Sequence, residues 1–155
     1  LAHYLDLLER AFLASGLPRY SAGQSRSRAD SPKLVLWNPA LVSALDTRTP
    51  SQAREDGDWW GRVVENAVGA HLANGLLGTG LDLLQWREGR AELGFVVAGA
   101  GRVWALEVKS GRSRPANGLD AFRAREPRAR PLIIGAGGMP LEEFFQTPPA
   151  DLLGA

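Results

Sequence analysis

The chain has 155 residues, of which 45% are hydrophobic and 23% charged, and its formal net charge is +1. This length suits one domain with one core, and the composition excludes wholesale disorder and a fibrous repeat. The absence of cysteine excludes disulfides, thiolate metal sites and cysteine nucleophiles, so any metal should be a hard ion bound by oxygen.

The first third of the chain predicts two helices and a strand. Apolar residues recur at helical spacing over 1–14, which indicates a helix with one buried stripe formed by Leu1, Leu5, Leu8 and Phe12. After a polar loop, an apolar strand is predicted at 33–37 and a short helix near 40–45. Residues 47–58 are polar and acidic, and we expect a mobile loop there.

A long helix is predicted from Trp59 to Leu77, with Asp58 as its N-cap. Its apolar positions fall within a sector of about 120°, and they are Val64, Val68, Leu72 and Leu76. Glu65 falls in the same sector. Since a buried carboxylate must be paired, hydrogen-bonded or bound to a metal, this acid needs a partner.

Three strand patterns follow the long helix, and turns of hairpin length join them. Their bounds are 83–87, 92–98 and 103–109. On the third strand, alternation places Glu107 and Lys109 on one face. In a metal-dependent phosphodiesterase, carboxylates gather the cation and a lysine positions the water or neutralises the transition state. The alternative for this pair is a salt-bridged sheet face.

The last part of the chain predicts a helix near 119–125, an apolar strand at 131–134 and a closing helical turn at 140–146. A helix, a three-strand meander, a second helix and a final strand therefore follow one another. This order is typical of an α/β fold with a mixed sheet.

Positive charge is unevenly distributed along the chain. Residues 102–130 hold eight Arg or Lys against three acids, whereas 131–155 hold no base. A basic face attracts phosphate backbones, and the alternative is a solvated surface in an arginine-rich chain. The candidate nucleic-acid-binding residues are Arg112, Arg114, Arg123 and Arg125. Lysine stands only at 33 and 109, so each lysine is informative.

Five segments together resemble the C-terminal domain of unknown function found in a large family of predicted prokaryotic AAA+ ATPases: Lys33 to Trp37, Gly61 to Asn66, Trp86-Arg87, Glu92 to Val97 and Glu107-Val108-Lys109. That domain is similar to the PD-(D/E)xK nuclease superfamily. The resemblance covers nearly the whole chain. It implies a restriction-endonuclease-like αβββαβ core with a mixed sheet, preceded by an N-terminal helix and strand.

The resemblance also implies how the chain is organised. We expect a single domain over 1–155, with an N-terminal helix and loop at 1–32 and the core at 33–155, as a fragment of a longer cytoplasmic ATPase. No glycine-rich phosphate-binding loop ending in Lys-Ser or Lys-Thr occurs in the chain. ATP is therefore expected only in the upstream module, and no membrane partner is expected.

The middle strand departs from the family pattern, which reads Glu-Val-Asp-Phe. Gly94 stands where the resemblance places the metal-binding aspartate. A degenerate catalytic site remains, formed by Glu65, Glu107 and Lys109, with Glu92 as a substitute acid. Glu65 and Glu107 form a thin ligand set for Mg²⁺, which prefers octahedral oxygen coordination. We expect weak metal binding at best and no resident cofactor.

Three functions remain open from the sequence. The first is a catalytically degenerate nuclease-fold module that binds nucleic acid, most naturally DNA, or a protein partner. The second is an active Mg²⁺-dependent endonuclease with an atypical metal site. The third is an oligomerisation domain that regulates the upstream ATPase. A structural interpretation of the site is a buried ion network in which Lys109 offsets Glu65 and Glu107.

Overall fold

The computed structural model describes residues 2–21, 32–111 and 117–154. Seven helices and six strands lie in these ranges. The helices are α1 Ala2–Arg10, α2 Ala40–Leu45, α3 Pro50–Glu55, α4 Gly57–Gly75, α5 Asn117–Arg125, α6 Leu141–Gln146 and α7 Pro149–Leu153. The strands are β1 Ala14–Gly16, β2 Leu34–Leu36, β3 Asp82–Glu88, β4 Ala91–Gly99, β5 Arg102–Lys109 and β6 Arg130–Gly135.

Four strands form the central mixed sheet in the order β3-β4-β5-β6. The first three pair antiparallel as a meander, and β6 pairs parallel to β5. Since α4 precedes the meander and α5 connects β5 to β6, the element order is αβββαβ. The predicted α/β fold with a mixed sheet is confirmed. Strands β1 and β2 form a separate antiparallel pair.

The central sheet buries an apolar cluster on each face, because successive β-strand residues point to opposite sides. The first cluster joins α4 to the sheet and includes Val68, Leu72, Phe95, Val97 and Leu106. The second joins α5 to the sheet and includes Leu84, Trp86, Leu93, Val96, Ala105 and Phe122. All four apolar positions predicted for α4 are buried. No helix among the described residues has the length and hydrophobicity needed to cross a bilayer.

Two N-terminal predictions were wrong. Helix α1 ends at Arg10. Leu8 and Phe12 are exposed, because α1 packs on the small β1–β2 sheet rather than on the central one. Leu1 lies outside the described residues. The expected loop at 47–58 contains α3, which Thr49 and Gln52 begin with a reciprocal capping box.

The N-cap of α4 also differs from the prediction. The Asp56 carboxylate accepts a hydrogen bond from the Trp59 backbone N–H at 3.0 Å. Because Asp56 takes this role, α4 begins at Gly57, and Asp58 lies in its first turn. Helix α7 follows the predicted closing turn and was not expected.

Tyr20 joins the N-terminal segment to the sheet and to α5. Its backbone N–H donates to the Gln85 carbonyl at 2.8 Å, and the Gln85 N–H donates to Pro18 at 2.9 Å. The Tyr20 hydroxyl donates to Glu126 at 2.8 Å, and its ring packs edge-on against Phe122. Residues 18–20, which follow β1, are therefore held against both β3 and α5.

The Tyr20 hydroxyl predicts a pH dependence of stability. Burial, followed by the hydrogen bond and the negative charge of Glu126, raises the pKa of Tyr20 from 10.0 to about 12. The folded state holds the phenol proton more tightly than the unfolded chain. The stabilisation of the fold by the protonated Tyr20 hydroxyl is therefore complete below pH 10.0 and is lost as the pH rises through about 12. Urea denaturation should show a steeper decline over this interval in the wild type than in Tyr20→Phe, and equal declines would contradict the assignment.

Candidate functional site

An open cleft of about 1310 Å³ lies between the start of α4, the start of β4 and the end of β5. The ladder between β4 and β5 ends at the pair Phe95 and Leu106, and the cleft lies beyond that pair. The lining includes the five residues that the sequence assigned to the degenerate catalytic site: Glu65, Glu92, Gly94, Glu107 and Lys109. The fold therefore brings these residues to one cleft.

Gly94 lies in a β-bulge of β4. The register of β3 and β4 shifts so that Gly94 and Phe95 together face Gln85. A Cβ built on Gly94 would lie 2.9 Å from the backbone carbonyl oxygen of Leu106, closer than real side chains approach. The backbone of β5 thus fills the place where an aspartate side chain would begin. This close approach explains the glycine, and an aspartate at 94 would require β4 and β5 to move apart.

Lys33 lies beside the cleft, in an adjoining pocket of about 640 Å³ that also contains Glu65, although the sequence analysis did not place it at the site. Its ammonium forms an ion pair with Glu65, donates to the Gly94 carbonyl at 2.8 Å and lies 3.6 Å from a Glu92 carboxylate oxygen. It also lies 4.8 Å from the centre of the Phe95 ring, a favourable cation–π distance. Only 15% of the Lys33 side chain is exposed, so these contacts define its position.

The backbone around Lys33 is fixed by hydrogen bonds on both sides. Its carbonyl accepts from the Leu17 N–H at 2.8 Å, and its N–H donates to the Gln85 side-chain oxygen at 3.1 Å. The Gln85 amide also donates to the Leu17 carbonyl at 2.9 Å. On α4, the Asn66 side chain hydrogen-bonds both backbone groups of Leu36. Lys33, the residue before β2, is therefore held at a defined point beside Glu65.

Glu107 and Lys109 form a second ion pair in the cleft. The Lys109 ammonium lies 2.8 Å from a Glu107 oxygen, and the side chains are 10% and 15% exposed respectively. They continue the strand face of Ala105, which packs in the α5 cluster, whereas Glu65 comes from α4. The two ion pairs therefore approach the cleft from opposite faces of the sheet. The structure gives Glu65 a lysine partner, Lys33, that the predicted ion network did not contain.

With both ammonium groups in place, these residues do not fit a divalent cation. Mg²⁺ takes nearly octahedral oxygen coordination, and the described part of the chain holds no group of three His, Cys, Asp or Glu side chains that could bind a metal ion. The two predicted weak ligands, Glu65 and Glu107, each contact an ammonium. The predicted substitute acid, Glu92, is half exposed and faces Lys33.

Of the predicted nucleic-acid-binding arginines, the structure describes Arg123 and Arg125, and neither lines the cleft. Arg123 and Arg125 are exposed on the last turn of α5, and Arg125 pairs with Glu88 of β3. Arg112 and Arg114 lie outside the described residues. Binding of nucleic acid by these side chains stays a prediction.

Comparison with known families gives a match over residues 60–144 to the domain of unknown function DUF4143, and this is more than half of the chain. The chain belongs to the DUF4143 family. The DUF4143 region contains Glu65, Gly94, Glu107 and Lys109, whereas Lys33 precedes it. No curated protein and no solved structure shows a significant match to the chain.

Proposed function

We propose that this DUF4143 chain is a catalytically degenerate PD-(D/E)xK-like module of an AAA+ ATPase, and that it acts through protein contacts. One observation carries the proposal. Lys33 and Lys109 neutralise the two acids expected to bind metal, and the β5 backbone takes the space of the third carboxylate at Gly94. With this donor set the cleft would bind a catalytic cation poorly.

The kinship with nucleases is supported by the arrangement of elements as well as by the sequence resemblance. The chain has the αβββαβ order, and the expected site residues line one cleft beyond the end of the β4–β5 ladder. Fold likeness alone does not establish activity. The chemistry of the cleft therefore decides between an active and an inactive module.

Surface composition favours a protein partner. The acids lining the cleft outnumber the bases by six to four among the described residues, which disfavours a polyanion there. Large apolar side chains are exposed on α1 and the turn after it, namely Tyr4, Leu7, Leu8, Phe12 and Leu13. Clustered exposed apolar groups are typical of protein interaction surfaces. The upstream ATPase module is the partner that we propose for this surface.

Nucleic-acid binding is the second candidate, and exposed arginines near the end of α5 favour it. Arg123 and Arg125 lie on α5 itself, Arg128 lies in the turn to β6, and Arg130 is the first residue of β6. Such a surface would contact phosphates without reading the base sequence. Its affinity for DNA would fall steeply as the salt concentration rises.

A cleavage assay tests the proposal. The purified chain, incubated with Mg²⁺ or Mn²⁺ and with single- or double-stranded DNA, should release no product above the metal-free background. Metal-dependent cutting that Lys109→Ala abolishes would overturn the proposal and establish the active nuclease.

Fluorescence anisotropy of labelled DNA separates the two binding functions in the same preparation. The protein-contact function predicts no DNA binding that depends on Arg123 and Arg125. Salt-sensitive binding that the double variant Arg123→Glu/Arg125→Glu removes would instead support the nucleic-acid function. A matched pair of charge reversals at Arg10 and Arg54, which lie on other exposed elements, controls for net charge.

A further inference from the structure

The Lys33 ammonium has an environment made of oxygen atoms from three positions. Glu65 supplies one carboxylate from α4, Gly94 supplies a backbone carbonyl at 2.8 Å, and Glu92 supplies a second carboxylate at 3.6 Å. An ammonium has three N–H donors and no acceptor. The number of oxygen-bearing groups therefore matches the number of hydrogens that Lys33 can donate.

The same oxygens are chemically suited to a hard divalent cation. Carboxylates and backbone carbonyls are ordinary ligands of Mn²⁺, Mg²⁺ and Ca²⁺. The ammonium already stands among them with its side chain largely buried, where a second positive charge would be strongly repelled. Lys33 and a divalent ion are therefore alternatives for one position.

We propose that Lys33 is a tethered cation that takes the place of a divalent metal ion between Glu65, Glu92 and the Gly94 carbonyl, and that its removal converts the cleft into a metal-binding site. The inference deepens the proposed function, because it names what neutralises the degenerate cleft. Lys33, the residue before β2, lies outside the DUF4143 match. The remaining coordination positions would be filled by water.

Mn²⁺ binding tests the inference on the whole chain. Isothermal titration and the Mn²⁺ electron paramagnetic resonance signal should show binding to Lys33→Ala that is about tenfold or more tighter than binding to the wild type, since the opposing charge is gone. Lys33→Arg keeps the charge and should bind no better than the wild type. Adding Glu65→Gln to Lys33→Ala should remove the gain.

Arg90→Ala is the matched control, because Arg90 lines the cleft that contains Glu65, Glu92 and Gly94 and its loss changes the net charge equally. A comparable gain in Arg90→Ala would overturn the inference by showing a general charge effect. Should Lys33→Ala unfold, Lys33→Met keeps the apolar stem beside Phe95, and Mn²⁺ should raise the Tm of either variant but not of the wild type.

If neither Lys33→Ala nor Lys33→Met gains Mn²⁺ affinity or Tm, the inference is overturned and the proposed function still stands. Conversely, DNA cleavage by the wild type would overturn the proposed function, whatever the Lys33 variants bind. The two failures are therefore distinguishable.

Discussion

Glu107→Gln should lower the free energy of unfolding by about 3 kcal/mol, because it leaves the Lys109 ammonium in a largely buried position without its carboxylate partner. The pair is separated by 2.8 Å, and neither side chain is more than 15% exposed. The Lys109 ammonium cannot regain full hydration while the chain is folded. Urea denaturation followed by circular dichroism measures the loss.

The exposed pair between Arg125 and Glu88 is the matched control. Its side chains are 68% and 46% exposed, so Glu88→Gln should lower stability by less than about 1 kcal/mol. The double variant Glu107→Gln/Lys109→Met should be more stable than Glu107→Gln alone, because it removes the largely buried ammonium as well. A Glu107→Gln effect no larger than that of Glu88→Gln would contradict a buried structural ion pair at this position.

Gly118→Ala should lower the free energy of unfolding by up to about 3 kcal/mol through overpacking. A Cβ on Gly118 would overlap the Glu92 carbonyl oxygen and lie 3.2 Å from the Leu93 backbone nitrogen. Since both contacts are backbone atoms, a rotamer change cannot relieve them. Helix α5 would have to move away from β4, and Phe122 would lose part of its packing.

Gly57→Ala provides the comparison for this prediction. Gly57 also lies in the first turn of a helix, α4, but a Cβ there meets nothing within 4 Å. Alanine has the better helix propensity, so Gly57→Ala should be neutral or slightly stabilising. Thermal or urea unfolding of the two variants gives the contrast, and similar effects would show that α5 does not rest directly on the backbone of β4.

Two glycines, Gly118 and Gly94, connect the stability of the fold to the geometry of the cleft. Because Gly118 has no side chain, α5 can approach the start of β4. In the same way, Gly94 lets β4 approach β5 beside the cleft. Both glycines allow backbones to approach where a side chain would separate them. The closeness of these elements leaves little room for a third carboxylate beside Glu107.

Much of the fold could be predicted from the sequence because periodicity reports which face of an element is apolar. The stripe of α4, the three-strand meander and the shared face of Glu107 and Lys109 were all predicted in this way. The missed helix α3 also had a sequence signal, since Thr49 and Gln52 have the spacing of a capping box. The polar and acidic composition of 47–58 indicates a loop, whereas the capping-box spacing indicates the helix that forms there.

Periodicity does not report which elements pair, and the candidate site depends on that pairing. Lys33 and Glu65 lie on different elements and meet only because Gln85 and Asn66 fix β2 between the sheet and α4. The bulge at Gly94 is a property of the register between two strands, not of either strand alone. The sequence by itself determined the elements and their acidic and basic side chains, whereas the tertiary structure decided which cation neutralises which acid, because that depends on packing between distant segments.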